Sequence, residues 1–206
     1  MDFLTNQEKF WAGEFGDEYI GRNSLVPENL AAFMAKWNRI VPCMSVVPSS
    51  ILEVGSNIGL NLRTLRDIFP KSELSGVEIN SKAAKQLSDW GQAEVYNQSI
   101  FDFSSNNQYD LVFTSGVLIH INPDQLASVY KKMYSLSRRY IIIIEYYNPT
   151  PIEVSYRGHA ERLYKRDFAG EMMDMYPGLT LNGYGFMYHR DPLFDFADLT
   201  WFVLEK

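Results

Sequence analysis

Cysteine is almost missing. Cys43 is the only one among 206 residues, which excludes an internal disulfide and any zinc site built on several thiolates. Long apolar runs are missing too: the longest strongly apolar stretch, Tyr140 to Ile144, falls far short of the ~20 residues that a bilayer-spanning helix needs. No membrane partner is expected. The first residues, Met1 to Lys9, have neither a basic start nor an apolar run, unlike a secretory signal, so a cytoplasmic location is expected. Positive charge is in short supply, with 19 Lys and Arg against 25 Asp and Glu and a net charge of −6. Such a balance gives a poor electrostatic footprint on nucleic acid, and no nucleic-acid partner is expected. No repeat, low-complexity tract or linker-like stretch breaks the chain, so residues 1–206 read as one domain.

What is present is an ordinary globular mixture, 46% hydrophobic and 21% charged, enough for a sizeable core. From Ser50 onward, short β-branched runs alternate with segments of helical period, the pattern of crossover units around a parallel sheet. Strands are expected at Ile51 to Val54, Glu73 to Ile79, Glu94 to Asn97, Asp110 to Thr114 and Tyr140 to Glu145. Helices are expected at Leu60 to Phe69, Ser81 to Trp90 and Pro123 to Leu136. Leu179 to Tyr188 and Leu199 to Leu204 read as a closing antiparallel pair joined by a long turn that contains Asp191-Pro192. The fold class is therefore α/β: a Rossmann-like, doubly wound, mostly parallel sheet of seven strands with an antiparallel C-terminal pair. Residues 1–45 read as an N-terminal cap of two helices, from Pro27 at a helix start and the spacing of Leu30, Phe33, Met34 and Trp37. Residues 46–145 would be the core and 146–206 an acceptor-side segment. Most of Tyr146 to Gly158 reads as loop, and Arg166 to Met175 as helical.

The most informative segment is Ile51-Leu52-Glu53-Val54-Gly55-Ser56-Asn57-Ile58-Gly59-Leu60-Asn61, a strand running through glycines into a helical pattern. Such a turn faces the carboxyl end of its strand, where open α/β sheets bind ligands. A dinucleotide fingerprint counted from Gly55 needs glycines where Asn57 and Leu60 stand, so close approach to a pyrophosphate is not provided. Asn57 still tolerates positive φ. Glu53 would set negative charge beside a pyrophosphate, but it suits an ammonium. Glu78, 25 residues later, closes a strand where a carboxylate accepts from ribose hydroxyls. Adenosine carrying an amino-acid tail is implied.

With Glu53-Val54-Gly55-Ser56-Asn57-Ile58-Gly59, Gly76-Val77-Glu78-Ile79-Asn80, Gln98-Ser99-Ile100-Phe101-Asp102-Phe103 and Tyr109-Asp110-Leu111-Val112-Phe113-Thr114-Ser115-Gly116 in order, the chain resembles the class I S-adenosylmethionine-dependent methyltransferases. The resemblance implies S-adenosyl-L-methionine as cofactor. It implies that Gly55 and Gly59, with Asn57 between them, shape the methionine pocket and that Glu53 helps hold the ammonium. It further implies that Glu78 binds the ribose, that Ile79, Ser99, Ile100 and Phe101 surround the adenine, and that Ser115 and Gly116 lie under the sulfonium. A narrower resemblance is to the methyltransferases associated with pseudaminic acid biosynthesis. It rests on the run Glu8 to Asn23, on Tyr147-Asn148-Pro149-Thr150-Pro151, on Tyr156-Arg157-Gly158-His159 and on Lys165-Arg166-Asp167-Phe168-Ala169-Gly170. That family implies association with a bacterial surface-sugar pathway and leaves the methyl acceptor open; a small polar acceptor, a sugar or nucleotide sugar, is expected.

Methyl transfer from a sulfonium mainly needs the acceptor held close and in line, with a base to take its proton. His120, after the fourth strand, and His159, in the low-periodicity segment, are the candidate bases. His189 beside Arg190 reads as a surface residue. Tyr147, Tyr156, Arg157 and Arg166 are candidate acceptor contacts, since Arg157, Arg162, Lys165 and Arg166 gather positive charge that suits a carboxylate or phosphate. Trp11, Tyr19 and Arg22 would close over the cofactor, with Arg22 pairing its carboxylate. Two alternatives stay open from the sequence: a nicotinamide-dependent oxidoreductase on a related sheet, and a non-catalytic module that binds the cofactor only.

Overall fold

The computed structural model describes residues 3–193 and 198–206. Met1 and Asp2, part of the N-terminal reading above, and residues 194–197 of the long turn after Asp191-Pro192 lie outside the described residues.

Seven strands form one sheet: β1 (Ser50–Val54), β2 (Glu73–Val77), β3 (Glu94–Tyr96), β4 (Tyr109–Ser115), β5 (Ser137–Glu145), β8 (Thr180–Met187) and β9 (Leu199–Glu205), in the order β3-β2-β1-β4-β5-β9-β8. β1, β2, β3, β4 and β5 run parallel, while β9 pairs antiparallel with β5 and with β8. The expected fold class is observed. The chain moves outward from β1 to β3 and then returns to lay β4 on the other side of β1. The carboxyl ends of β1 and β4 thus flank the switch point where ligands enter open α/β sheets.

β1, β4 and β5 sit at the centre with both faces covered, whereas β8 at the edge leaves Leu181, Tyr184 and Phe186 exposed. In β5, Ile141 and Ile143 enter one apolar cluster while Tyr140, Ile142 and Ile144 enter the other, which is why the run is continuously apolar instead of alternating. The first cluster is completed by Val129, Tyr130, Met133 and Leu136 of α6 (Leu126–Leu136) and by α7 (Phe168–Met175). The second is completed by Leu62 and Leu65 of α4 (Leu60–Ile68) and Leu87 of α5 (Ser81–Asp89), together with Trp37 and Ile40 of α3 (Pro27–Ile40). Trp37 meets Phe113 edge to face at 5.0 Å.

Two expectations are corrected. The N-terminal cap holds three helices, not two, because Gly13 ends α1 (Asn6–Ala12) and α2 (Glu14–Ile20) starts directly after it. The segment expected to be mostly loop contains β6 (Ile152–Tyr156), which pairs antiparallel with β7 (His159–Lys165) as a separate hairpin. Its two-residue turn, Arg157-Gly158, has both φ values positive, at 52° and 84°, as a primed hairpin turn requires. The alternation of Ile152, Val154 and Tyr156 was the available signal. Pro149 and Pro151 just before it read as loop punctuation and masked it. Among the described residues no helix is long and apolar enough to cross a membrane.

Candidate active site

The turn from β1 into α4 is built as the glycine pattern suggested. Gly55, Asn57 and Gly59 take φ values of 74°, 47° and 82°, a left-handed region that glycine and asparagine tolerate best. The glycines also permit close approach. A Cβ on Gly55 would stand 2.5 Å from Val117 Cγ2, and one on Gly59 would stand 2.3 Å from Leu87 Cδ1. Gly55 and Asn57 line a cavity of about 330 Å³. Gly59 does not: it is the N-cap of α4 and lets α5 pack against the turn.

Glu53 and Glu78 both line this cavity and both are buried. Glu53 Oε1 accepts from Asn61 Nδ2 at 2.6 Å, whereas Glu53 Oε2 has no hydrogen-bond partner among the described residues. Burial pushes the Glu53 carboxyl above its usual range. Asn61 Oδ1 in turn accepts from Lys36 Nζ at 2.7 Å and from Trp37 Nε1 at 3.1 Å. Lys36, on α3, is itself buried and lines the cavity, with its ammonium 4.0 Å from the Phe33 ring centroid and 3.4 Å from Ser115 Oγ. Burial pulls its pKa down. An acid lifted and a base lowered within one hydrogen-bonded group can accept an ammonium and a carboxylate together, each ligand charge favouring the charged partner. Sequence reasoning missed Lys36, because a lysine on an amphipathic helix reads as solvated; only the tertiary placement reveals it.

Glu78 is held by backbone. Its Oε2 accepts from Asn57 N–H at 2.7 Å and its Oε1 from Asn80 N–H at 2.8 Å. Burial raises its pKa while these amides oppose the shift. Ile79, Ser99, Ile100 and Phe101 lie along the same cavity. There α1 reaches over: Ser99 Oγ donates to Glu8 Oε1 at 2.5 Å. The neighbouring Gln7, also on the cavity, donates Nε2 to Glu161 O at 3.0 Å. Glu8 is fixed by a capping box with Thr5. Neither Gln7 nor Glu8 was expected at the site, since polar helix residues carry no local signal of burial.

The cap docks at close range. Asn80 Nδ2 donates to Trp11 O and to Asp17 Oδ1, and Asp17 pairs with Lys82 at 2.6 Å. A Cβ on Gly16 would stand 1.8 Å from Trp11 O, so α1 and α2 pack at a distance only glycine allows. Gly16→Ala should cost about 1–3 kcal/mol through overpacking and displace Trp11 and Tyr19, which line the cavity. A thermal melt should show the loss.

His120 ends the 3-10 turn Leu118–His120 after β4 and lines the cavity. That turn is anchored by Glu145 at the end of β5, whose Oε1 accepts from the N–H groups of Val117 and Leu118, each at 3.0 Å. His120 Nδ1 donates to Arg162 O at 2.5 Å, and burial lowers its pKa to about 4. The unfolded chain therefore takes up a proton between the ordinary histidine value and about 4 that the folded one refuses. Folding stability supplied by neutral His120 is present above that window and lost as pH falls through it, by up to about 1.4 kcal/mol per pH unit. The unfolding midpoint of the wild type should drop more steeply on acidification than that of His120→Asn.

The cavity brings together Tyr19, Glu53, Gly55, Asn57, Glu78, Ile79, Ser99, Ile100, Phe101, Ser115, Gly116, His120 and Tyr156. Other expected residues are not on it. Arg22 lies over the Phe15 and Tyr19 rings, at 5.5 and 5.6 Å. His159 is exposed against Phe10 and Phe15. Tyr147 is exposed near Phe202, and Arg157 sits at the hairpin turn over Tyr156. Arg166 is paired with Glu171 at 2.7 Å. Of the other basic residues of this region, Arg162 lies over Phe10 and Lys165 over Tyr146. His189 pairs with Asp198 on the surface, at 2.9 Å.

Residues 52–139 match a family model described as a methyltransferase domain. No curated protein matches the sequence. Among solved structures, magnesium protoporphyrin IX methyltransferase from Synechocystis PCC 6803 with bound SAM superposes with a TM-score of 0.72 at 13% identity, over 100% of both chains. A 1,6-didemethyltoxoflavin-N1-methyltransferase from Burkholderia thailandensis gives 0.67 at 14% identity, over 100% of this chain and 93% of that one. An S-adenosylmethionine-dependent methyltransferase from Clostridium acetobutylicum gives 0.62 at 13%, over 93% and 97%. At such identities the likeness is one of fold.

Proposed function

We propose that the chain is an S-adenosylmethionine-dependent methyltransferase acting in the cytoplasm on a small polar acceptor, a sugar or nucleotide sugar of a nonulosonic acid pathway. The observation that carries the cofactor reading is the pair of buried carboxylates, Glu53 and Glu78, on one cavity at the carboxyl ends of β1 and β2. The residues fit the group. Glu53, with Oε2 lacking a partner among the described residues, would hold the ammonium of the methionine tail. Lys36, not Arg22, would take its carboxylate. Glu78 would accept from the ribose hydroxyls with the lone pairs that the Asn57 and Asn80 amides leave free, and Ile79, Ile100 and Phe101 would flank the adenine with Ser99 beside it. When bound, the cofactor supplies an electrophilic methyl group. The chain's own part is to orient the acceptor, exclude water beneath α1 and α2, and receive a proton at His120. The sugar assignment rests on the family resemblance of the N-terminal run and of the β6–β7 region.

The test is incubation with labelled methyl donor and a panel of sugar nucleotides, the products being read by mass spectrometry. One added methyl on a sugar is expected. Transfer to another small molecule would move the acceptor class. Tight cofactor binding without transfer to any fraction of a cell extract would favour a non-catalytic module.

A further inference from the structure

The wall made by α1, β6 and the turn after β4 bears on which atom is methylated. His120 Nδ1 is the donor to Arg162 O, because a carbonyl only accepts. Nε2 is therefore the nitrogen that keeps its lone pair, on a side chain lining the cavity. The rings of Trp11 and Tyr156 flank the imidazole, with centroids at 4.6 and 4.9 Å, and Tyr19 meets Trp11 at 5.2 Å. A lone pair between aromatic walls suits a hydrogen-bond donor carried on a ring with apolar faces.

Aliphatic amines and hydroxyls both donate, but their charge separates them. An ammonium has no lone pair to attack with, must lose a proton first, and needs a free carboxylate beside it while it is charged. A hydroxyl arrives uncharged with its lone pairs in place. Its proton becomes strongly acidic only as the new bond forms, when a weak base suffices. Of the ionisable groups, Glu8, Tyr19, Tyr146 and Tyr156 share the cavity with His120, as do Lys36, Glu53 and Glu78 of the proposed cofactor pocket; Glu145 holds the turn that ends in His120, and Arg162 offers it a carbonyl. The carboxylates outside the proposed cofactor pocket are already engaged, Glu8 by Ser99 and Thr5 and Glu145 by the Val117 and Leu118 amides. Neither is placed to balance an ammonium beside His120.

We infer that the methyl acceptor is an uncharged hydroxyl on a ring, sugar or aromatic, seated against Trp11 and Tyr156 with its O–H donated to His120 Nε2. This rests on the methyltransferase reading above and adds the attacked atom to it. A lone pair of the hydroxyl oxygen forms the bond to the methyl carbon. The carbon–sulfur bond breaks with its electrons staying on sulfur, and the hydroxyl proton passes to Nε2 and from there to solvent.

Heteronuclear NMR of the protein saturated with adenosylhomocysteine reads the His120 tautomer directly. The neutral Nδ1–H tautomer is expected from about pH 8 down to about 5.5, below the unperturbed histidine value. The Nε2 resonance should move on adding phenol or methyl glucoside and stay still with benzylammonium. Response to phenol alone marks an aromatic hydroxyl as the acceptor, and response to the glucoside alone a sugar. His120→Asn should lose the response while still binding adenosylhomocysteine. An imidazolium, an Nε2–H tautomer, a response to benzylammonium, or no response to either hydroxyl probe overturns the inference. Calorimetry on the same sample keeps the two readings apart: no heat with adenosylhomocysteine removes the methyltransferase reading, whereas heat with an unmoved Nε2 removes only the hydroxyl acceptor.

Discussion

Replacing Glu78 with alanine is expected to weaken adenosylhomocysteine binding by about 100-fold or more. The carboxylate has two duties. It ties the Asn57 and Asn80 amides, at 2.7 and 2.8 Å, and so holds Asn57 in its left-handed conformation, and it would receive the two ribose hydroxyls. Each bond to a charged acceptor is worth roughly 1.5–3 kcal/mol, so losing both hydroxyl partners costs about 3–6 kcal/mol. Relaxation of the turn recovers part of that, and what remains exceeds the ~2.7 kcal/mol of a 100-fold change. Glu78→Gln keeps one acceptor oxygen and should fall between. Calorimetric affinities that differ less than about threefold across the series would show that Glu78 does not touch the ligand.

Lys36→Met should produce a different signature, a loss of affinity that depends on the ligand's tail. Lys36 is buried at 2% exposure and donates to Asn61 and Ser115, so an apolar side chain of similar length fills its volume but leaves those buried partners short of a donor, and the melting temperature should fall modestly. If Lys36 takes the tail carboxylate, a bound carboxylate that loses its buried partner costs about 3–5 kcal/mol, and adenosylhomocysteine should weaken by about 100-fold or more. Methylthioadenosine, which lacks the amino-acid tail, should bind the variant and the wild type alike. Arg22→Ala should leave both ligands unaffected, since its guanidinium rests on the Phe15 and Tyr19 rings away from the cavity. Equal losses for both ligands in Lys36→Met would assign Lys36 a structural part only.

The half of the cavity proposed to hold the nucleoside is readable in the sequence because its parts are local. Glu53, Gly55 and Asn57 follow one strand, Glu78 ends the next, and backbone geometry carries each to the same sheet edge. The parallel strands are readable for the same reason, since Tyr140 to Ile144 must be buried on both faces. The half proposed to seat the acceptor is assembled from remote pieces. Trp11 and Tyr19 come from the cap, Tyr156 and the Arg162 carbonyl from a hairpin, and His120 from a turn pinned by Glu145. Periodicity says nothing about which of these meet. The residues expected from charge, Arg157 and Arg166, lie off this cavity, beside the Tyr156 ring and Glu171. Lys36 and Gln7 went unseen because only the packed structure buries them.

Side-by-side calorimetry of adenosylhomocysteine and NAD on the full chain probes most directly whether the crevice at β1 and β4 is shaped for a nucleoside with a zwitterionic tail. Heat with a Kd in the micromolar range for adenosylhomocysteine and none for NAD is predicted. Silence with adenosylhomocysteine, or saturable binding of NAD in its place, would contradict it.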